Sequence, residues 1–277
     1  MIGSMADELV QDMLALATHL AKEAAAIALP RLGHTSVTWK ADSSPVTDVD
    51  HAVQAHIVNA IAEAYPDHAV CAEETLREPH AHPNRANARY CWVIDPLDGT
   101  RNYASGLPCF ATSIAVLDRS RPVVAVVLEH NVHYLYTAVL GGGATLDGQP
   151  IHVKEGPAGA DILVGTPSSK DKLAVAVVCN WAATPGLICR NLGSTALHLA
   201  MVASGALNGV FGRRSKIWDI AAGVLLVTEA GGRITDPFGA DRLPFDLEAD
   251  PNDDLPFLAA APKVHERLLS SIQAVAP

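Results

Sequence analysis

The stretch Trp92-Val93-Ile94-Asp95-Pro96-Leu97-Asp98-Gly99-Thr100 decides the fold and carries the densest chemical signal of the chain. It predicts a buried strand that delivers two carboxylates, three residues apart, into a turn. Pro96 fixes φ and should end the strand, while Gly99 lets a ligand approach the backbone closely. Two carboxylates this close repel each other unless a cation lies between them, and oxygen ligands on a short turn suit Mg²⁺. The alternative is a turn in which both Asp side chains only accept backbone hydrogen bonds.

Two further acidic positions could join this carboxylate pair. Glu73-Glu74 closes a short strand upstream, and Asp219 opens a helix directly after Trp218. Each position also has a simpler explanation. Paired Glu residues at a strand end are usually solvated, and an Asp at a helix start usually caps the helix. Taken one at a time, these positions leave both explanations open.

Helices and strands are predicted along most of the chain. Apolar spacing over residues 8–29 predicts a long helix, and a second helix should follow Thr47 or Asp48 and end before Pro66. β-branched runs predict an antiparallel meander, and the glycines at 141–143 are interpreted as a turn. The predicted strands cover 69–72, 91–94, 112–117, 123–129, 133–139, 162–165, 187–191, 207–211 and 258–260; the later helices cover 170–180, 194–204, 218–230 and 262–275; and 75–89 is predicted to be a polar loop.

Composition and charge limit the class of protein. The chain has 277 residues, of which 49% are hydrophobic, enough for one large domain or two. Its formal charge of −10 argues against nucleic acid as a general partner, because duplex-binding proteins normally carry a basic face. No apolar run approaches the roughly 18–20 residues that span a bilayer, and no signal peptide is recognisable. We therefore expect a cytoplasmic protein without membrane contact.

The cysteines and histidines do not form a recognisable metal or catalytic motif. The five cysteines contain no C-x-x-C pair and are predicted to be reduced core thiols. His80, His82, His130 and His133 lack a partnering motif and are interpreted as surface or hydrogen-bonded groups. The chain contains neither the G-x-x-x-x-G-K-[ST] of P-loop kinases nor the G-x-S-x-G of serine hydrolases.

Together, the acidic segments resemble the inositol monophosphatase family of Mg²⁺-dependent, lithium-sensitive phosphatases. The family pattern is an E-E pair, then a Trp followed by D-P-[IL]-D-G-T, then W-D-x-A-A-G and E-A-G-G. The chain matches it at residues 73–74, 92–100, 218–223 and 229–232. Lesser matches are residues 44–46 with Asp50, residues 193–196, and residues 141–144 with 147–148. The matches follow the family's order over nearly the whole chain.

The resemblance implies a site for two or three Mg²⁺ ions. Such ions neutralise phosphate, orient it for in-line attack and lower the pKa of water, so that hydroxide becomes available near neutral pH. The implied ligands are Glu73, Asp95 and the Leu97 carbonyl for the first ion, Asp95, Asp98 and Asp219 for the second, and Glu73 for a weaker third.

The resemblance also assigns residues to the water and the substrate. In the family's usual account a Thr and an Asp activate the attacking water, and they map here to Thr100 and Asp50. Asp98 is counted with them as catalytic, because it holds a metal. Backbone N–H groups at a Gly-Thr turn can bind a phosphate oxygen. The predicted substrate contacts are Gly99, Thr100, Gly193, Ser194, Thr195, Arg213 and Arg214.

The implied fold is an α/β layered sandwich, α-β-α-β-α, of the sugar-phosphatase type. Residues 5–155 are expected to form an α+β half that bears the metals, and residues 156–277 an α/β half that closes the active site. The expected function is a Mg²⁺-dependent phosphomonoesterase for a small phosphorylated alcohol or sugar. Inositol monophosphate is the leading substrate, and a homodimer is the expected assembly.

Several alternatives remain open. Fructose-1,6-bisphosphatase, histidinol-phosphate phosphatase and the phosphatase of 3′-phosphoadenosine 5′-phosphate belong to the same superfamily. The last commonly follows D-G-T with Lys-Glu-Phe, and the chain has Arg101-Asn102-Tyr103 there, which disfavours it. A different class is a non-catalytic regulator that binds other proteins or the transcription machinery. Retention of the carboxylates argues against that class.

One departure from the family pattern concerns substrate choice. Inositol monophosphatases commonly place a Glu seven residues before the W-D aspartate, where it can accept hydrogen bonds from inositol hydroxyls. In this chain that position is Gly212, and Arg213, Arg214 and Lys216 follow it. The segment is either a solvated basic loop or a lining of the leaving-group pocket. In the second case it would favour a substrate with a second anion, because Arg pairs bidentately with phosphate or carboxylate.

Overall fold

The computed structural model describes residues 2–40, 45–74, 87–156 and 159–276, with side chains from residue 7 onward. Ser44 and residues 75–86 of the predicted loop lie outside the described residues. The helices are α1 Ile2–Ala28, α2 Asp48–Ala64, α3 Thr100–Ala104, α4 Lys172–Ala183, α5 Thr195–Ala203, α6 Ile217–Glu229 and α7 Pro262–Gln273. The strands are β1 Val37–Trp39, β2 Pro45–Thr47, β3 Ala69–Ala72, β4 Tyr90–Asp98, β5 Ala111–Asp118, β6 Arg121–Glu129, β7 Tyr134–Val139, β8 Gly143–Leu146, β9 Gln149–Pro150, β10 Ile162–Gly165, β11 Leu187–Arg190, β12 Gly209–Gly212, β13 Arg233–Thr235 and β14 Phe257–Ala260.

The larger sheet has its strands in the order β3-β4-β5-β6-β7-β8-β9. β3 runs parallel to β4, and the strands after β4 pair antiparallel in chain order, which confirms the predicted meander. Side chains alternate across this sheet because successive residues of a strand point to opposite faces. Trp92 and Ile94 therefore lie in the core that contains α1 and α2, while Cys91 and Val93 lie in the core that contains α5 and α6.

The smaller sheet has the order β11-β10-β12-β14-β13. β10 runs parallel to both of its neighbours, and β14 is antiparallel to β12 and β13. Its outer face packs in a third core with α4 and α7, through residues such as Trp181 and Leu268. The resulting order of layers is α1 and α2, larger sheet, α5 and α6, smaller sheet, α4 and α7. This confirms the predicted five-layer α/β sandwich.

The strand that carries the two aspartates is longer than predicted. The expectation that Pro96 ends it is wrong, because β4 continues to Asp98. Asp95 pairs with Ser113 and Asp98 with Ala111, so Pro96 and Leu97 lie opposite Thr112 alone. Such a two-against-one β-bulge tolerates a proline, since the ladder is locally interrupted there.

The sequence patterns missed several short strands. β1, β2 and β13 have three residues each, too few to establish an alternating pattern. β8 begins at Gly143, inside the glycine run for which the sequence predicts only a turn. The prediction that all cysteines are core thiols is also wrong in part. Cys71 and Cys91 are buried, but Cys179 is exposed on α4.

The division of the chain at residues 155 and 156 stays a prediction. The core around α5 and α6 receives side chains from both sides of that boundary, for example Val127 and Leu225. None of the helices in the described ranges combines the length and the apolar character that a bilayer crossing requires.

Candidate active site

The ends of two parallel strands bring the first acidic residues together. β3 and β4 run in the same direction, so the residues that follow them meet at one edge of the sheet. The backbone N–H of Glu73, directly after β3, donates to the carbonyl of Ile94 at 3.1 Å. Glu73 is thereby held beside the segment of β4 that contains Asp95 and Asp98, as the sequence predicted.

Asp219 reaches the same place from the first turn of α6. Asp219 lines the same cavity as Glu73. Burial raises the pKa of Asp219, and repulsion from Asp98 and Glu73 adds to the shift. The four predicted carboxylate ligands, which come from distant parts of the chain, therefore form one group.

Burial and mutual repulsion disfavour the ionised forms of the three aspartates, Asp95, Asp98 and Asp219. Asp95 and Asp98 are 2% and 9% exposed. Burial, followed by repulsion from Glu73, Asp98 and Asp219, raises the pKa of Asp95 well above its ordinary value. Burial likewise raises the pKa of Asp98 to about 6, although Ser194 and backbone N–H groups oppose the shift. A divalent cation would relieve this repulsion, and the carboxylate donor set fits Mg²⁺.

These aspartates also accept the backbone hydrogen bonds that a turn or a helix cap would require. Asp95 Oδ1 accepts the N–H of Leu97 at 3.0 Å, and Asp219 Oδ2 accepts the N–H of Lys216 at 2.7 Å at the start of α6. Asp98 Oδ2 accepts hydrogen bonds from the hydroxyl of Ser194 and from the backbone N–H of Ala196, each with a donor–acceptor distance of 2.6 Å.

Local capping and metal binding are therefore compatible at these aspartates. However, within the described residues no three His, Cys, Asp or Glu side chains are already arranged as a metal site. Metal binding would require side-chain movement.

Lys40 is a site residue that the sequence analysis missed. Its Nζ lies 3.0 Å from Glu73 Oε1 and also bonds Glu74, and its side chain is 8% exposed. Burial lowers the pKa of Lys40, but attraction by the two glutamates outweighs it and leaves the pKa raised. The ammonium group thus supplies a positive charge beside the carboxylates. A single Lys in a polar stretch gives no signal of this role.

The predicted water-activating pair is in hydrogen-bond contact. Thr100 Oγ1 lies 3.1 Å from Asp50 Oδ1 and 3.0 Å from the carbonyl of Leu97. Asp50 is fixed by its place in the capping box of α2, where its other oxygen accepts the N–H of Thr47 at 2.9 Å. Burial raises the pKa of Asp50.

A cavity of about 420 Å³ opens above these groups. Its wall includes Glu73, Asp219 and all the predicted substrate contacts: Gly99, Thr100, Gly193, Ser194, Thr195, Arg213 and Arg214. Gly99 has φ +95°, and a Cβ atom there would lie 2.8 Å from the carbonyl oxygen of Cys109. Only glycine fits this turn, which leaves the backbone N–H groups at the cavity wall uncovered.

The basic side of the cavity is already paired with carboxylates. Arg213 Nε lies 3.3 Å from Asp171 Oδ2, and Arg214 Nε lies 3.8 Å from Asp254 Oδ2. A Cβ atom on Gly212 would overlap the ring of Phe257, so this backbone leaves no room for the family's Glu. Arg213 and Arg214 line the cavity as predicted, but as members of ion pairs.

Comparison with known proteins agrees with this architecture. A model of the inositol monophosphatase family matches residues 9–276, and the chain belongs to that family. An inositol monophosphatase from Anabaena (Nostoc) sp. PCC 7120 superposes with a TM-score of 0.79 at 31% identity, covering 96% of this chain and 97% of that one. An IMPase from Thermotoga maritima has a TM-score of 0.83 at 28% identity, covering 95% and 98%.

Curated relatives carry a different kind of name. The Nus factor SuhB of Pasteurella multocida is 36% identical over 243 residues, which cover 85% of each chain. The Nus factor SuhB of Haemophilus influenzae is 39% identical over 203 residues, 72% of this chain and 74% of that protein. The family is therefore established, and its members similar to this chain include proteins named for enzymatic and for Nus-factor roles.

Proposed function

We propose that the chain is a Mg²⁺-dependent phosphomonoesterase that hydrolyses a small phosphorylated alcohol or sugar. The observation that carries the proposal is a group of four carboxylates beside a cavity: Asp95 and Asp98 are buried, and Glu73 and Asp219 line the cavity wall. Carboxylates with raised pKa values in a cleft are typical of functional sites, and oxygen donors of this kind bind Mg²⁺. The proposed ligands are these four side chains and the carbonyl of Leu97, for two or three ions.

The roles of the chain's own residues follow from its hydrogen bonds. Bound Mg²⁺ neutralises phosphate charge and makes the attacking water more acidic. Thr100 Oγ1 accepts a hydrogen bond from that water and donates its own hydrogen to Asp50 Oδ1. As the water attacks phosphorus, its proton passes to Thr100 while the hydroxyl proton of Thr100 passes to Asp50. As the bond between phosphorus and the leaving oxygen breaks, that oxygen takes a proton from a second water in the open cavity. Backbone N–H groups of Gly99 and Thr100 bind a phosphate oxygen. Since phosphoryl transfer depends mainly on positioning and charge stabilisation, these groups suffice.

The proposed substrate is inositol monophosphate. Arg213 pairs with Asp171, and Arg214 shares Asp254 with Lys216, so two of these three positive charges are matched by carboxylates before any ligand enters. This compensation favours a polyol leaving group over a second anion. Fructose-1,6-bisphosphate, histidinol phosphate and 3′-phosphoadenosine 5′-phosphate are the alternatives from the same superfamily.

Phosphate release from these four esters tests the proposal directly. We expect release with Mg²⁺ that stops on addition of EDTA, returns when Mg²⁺ is restored, and is fastest for inositol monophosphate. Undiminished activity in EDTA would contradict the metal mechanism. Lithium should inhibit phosphate release. We also propose a homodimer, which size-exclusion chromatography with light scattering tests.

A second candidate function is a regulator that binds other proteins. The observation that favours it is the name Nus factor, which relatives at 36–39% identity carry. Such a protein would also bring the expectation of no nucleic-acid partner into question. A pull-down from the source cells that yields a stoichiometric partner, together with no phosphate release from any ester, would place this function first.

A further inference from the structure

A buried Thr–His pair lies directly opposite the β-bulge. Thr112 is the single residue of β5 that faces both Pro96 and Leu97. Its Oγ1 lies 2.8 Å from the carbonyl oxygen of Pro96 and 2.9 Å from His130 Nε2. Thr112 and His130 are both 0% exposed, and the ring of Phe110 packs edge-on against the imidazole at 5.1 Å.

The direction of these hydrogen bonds can be deduced from the donors. A carbonyl oxygen only accepts, so the one hydroxyl hydrogen of Thr112 goes to Pro96. His130 must then donate from Nε2, which fixes its tautomer and leaves Nδ1 without a hydrogen. This Nδ1 has no hydrogen-bond partner in the part of the chain that the structure describes. Burial lowers the pKa of His130 to about 3, so the ring is neutral near pH 7.

The position of the pair indicates what the pair does. The bulge sets the spacing between Asp95 and Asp98, and it turns the carbonyl of Leu97 toward Thr100. A buried nitrogen without a partner costs free energy, and two apolar side chains would fill the same space without that cost. The polar pair is nevertheless found where the backbone between the two aspartates leaves regular strand geometry.

We propose that Thr112 and His130 are positioning residues, which hold the Pro96–Leu97 segment so that Asp95, Leu97 and Asp98 can bind the metal together. The inference rests on the proposed Mg²⁺ site. His130 orients the hydroxyl of Thr112, the hydroxyl fixes the Pro96 carbonyl, and the following peptide is thereby fixed as well. Residues that orient metal ligands in this way typically affect metal affinity by 10–100-fold.

The chain contains a matched control. In the second half, Thr235 Oγ1 donates to the carbonyl of Asp236 at 2.8 Å and lies 2.9 Å from His265 Nε2. Thr235 and His265 are also 0% exposed. This pair neither lines the cavity nor adjoins a proposed ligand. Its removal should therefore reproduce the loss of two buried hydrogen bonds without touching the metal site.

The experiment compares Thr112→Val with Thr235→Val in the full chain. Mg²⁺ binding is measured by isothermal titration calorimetry, and unfolding of the metal-free protein by circular dichroism. We expect both variants to lower the unfolding midpoint, but only Thr112→Val to raise the Kd for Mg²⁺, by about 10-fold or more. Thr112→Ser, which keeps the hydroxyl, should restore the wild-type Kd. His130→Leu, compared with His265→Leu, repeats the test if Thr112→Val does not fold.

The outcomes separate this inference from the proposed function. An unchanged Kd in Thr112→Val, or an equal rise in Thr235→Val, would overturn the positioning role while leaving the phosphatase proposal intact. Wild-type protein that binds no Mg²⁺ would overturn both.

Discussion

At the scale of single residues, Asp98 is the proposed metal ligand whose charge can be removed with little change to its hydrogen bonds. Asp98→Asn keeps an oxygen that can accept from Ser194 and from the N–H of Ala196, but it removes one negative charge from the site. We expect kcat/KM for the best ester to fall on the order of 10²-fold or more, several kcal/mol of transition-state stabilisation. Steady-state phosphate release measures this. Near-normal turnover would exclude Asp98 as a ligand, and Asp161→Asn, at an exposed position, serves as the control.

The arginines lead to a prediction about substrate discrimination. Because Asp171 and Asp254 already pair with them, Arg213→Ala and Arg214→Ala should change kcat/KM for inositol monophosphate and fructose-1,6-bisphosphate by similar factors, within about threefold. Arg267→Ala, on α7 and outside the cavity, is the control. A selective loss of the bisphosphate reaction would mean instead that an arginine recognises the second anion.

Single residues also mark the limit of prediction from sequence. Asp95, Asp98, Glu73 and Asp219 were predictable because each sits in a motif several residues long. Lys40 and the Thr112–His130 pair were not, since their roles depend on contacts between residues 18 to 34 positions apart and on burial. One Lys or one His carries no local pattern that distinguishes a buried partner from a surface group.

At the scale of elements, helix α7 packs against strand β13 through the Thr235–His265 bond. Burial lowers the pKa of His265 to about 4, and the positive charge of Arg233 acts in the same direction. In the unfolded chain His265 therefore binds a proton near pH 6.5, whereas in the folded chain it binds that proton only near pH 4. This contribution to stability is complete above pH 6.5 and is lost as the pH falls toward 4.

Urea unfolding of wild type and His265→Gln at pH 7.5 and pH 4.5 tests this contribution. Gln keeps a hydrogen-bond donor but does not titrate in this range. We expect the wild type to lose up to about 3 kcal/mol more than the variant between the two pH values, at about 1.4 kcal/mol per pKa unit. Equal losses would show that His265 takes up no extra proton on unfolding.

Elements were predicted from sequence where apolar periodicity extends over several turns or alternations. The long helices and the meander strands β5, β6 and β7 follow from that periodicity. The end of β4 could not be predicted in this way, because a proline normally interrupts the hydrogen bonds of a strand. The pairing of β4 with β5 shows that a bulge accommodates Pro96. The three-residue strands β1, β2 and β13 are defined by hydrogen bonds to neighbouring strands, and a pattern of three residues gives no information about those neighbours.

At the scale of the whole molecule, the proposed metal site joins the two predicted halves. Asp95 and Asp98 come from the larger sheet, and Asp219 comes from the helix layer between the sheets. Mg²⁺ that binds the folded chain alone should stabilise all of it, by about 2.7 kcal/mol at a hundredfold excess over Kd. Thermal unfolding should therefore show one transition whose Tm rises with Mg²⁺.

Variants on both sides of the boundary should behave alike in that measurement. Asp98→Asn and Asp219→Asn are each expected to lose most of the rise in Tm, while Asp161→Asn keeps it. A full Mg²⁺-dependent rise in Asp219→Asn would argue that the second half contributes no ligand.

The ammonium group of Lys40, which pairs with Glu73 and Glu74, would compete with Mg²⁺ for the carboxylate of Glu73. A tethered ammonium has a fixed effective concentration, which dilution and cell volume do not alter. The ion pair of Lys40 with Glu73 and Glu74 therefore raises the apparent Kd for Mg²⁺ by a constant factor. We therefore expect Lys40 to set the Mg²⁺ concentration at which the site is half occupied, so that occupancy follows the Mg²⁺ level of the surroundings.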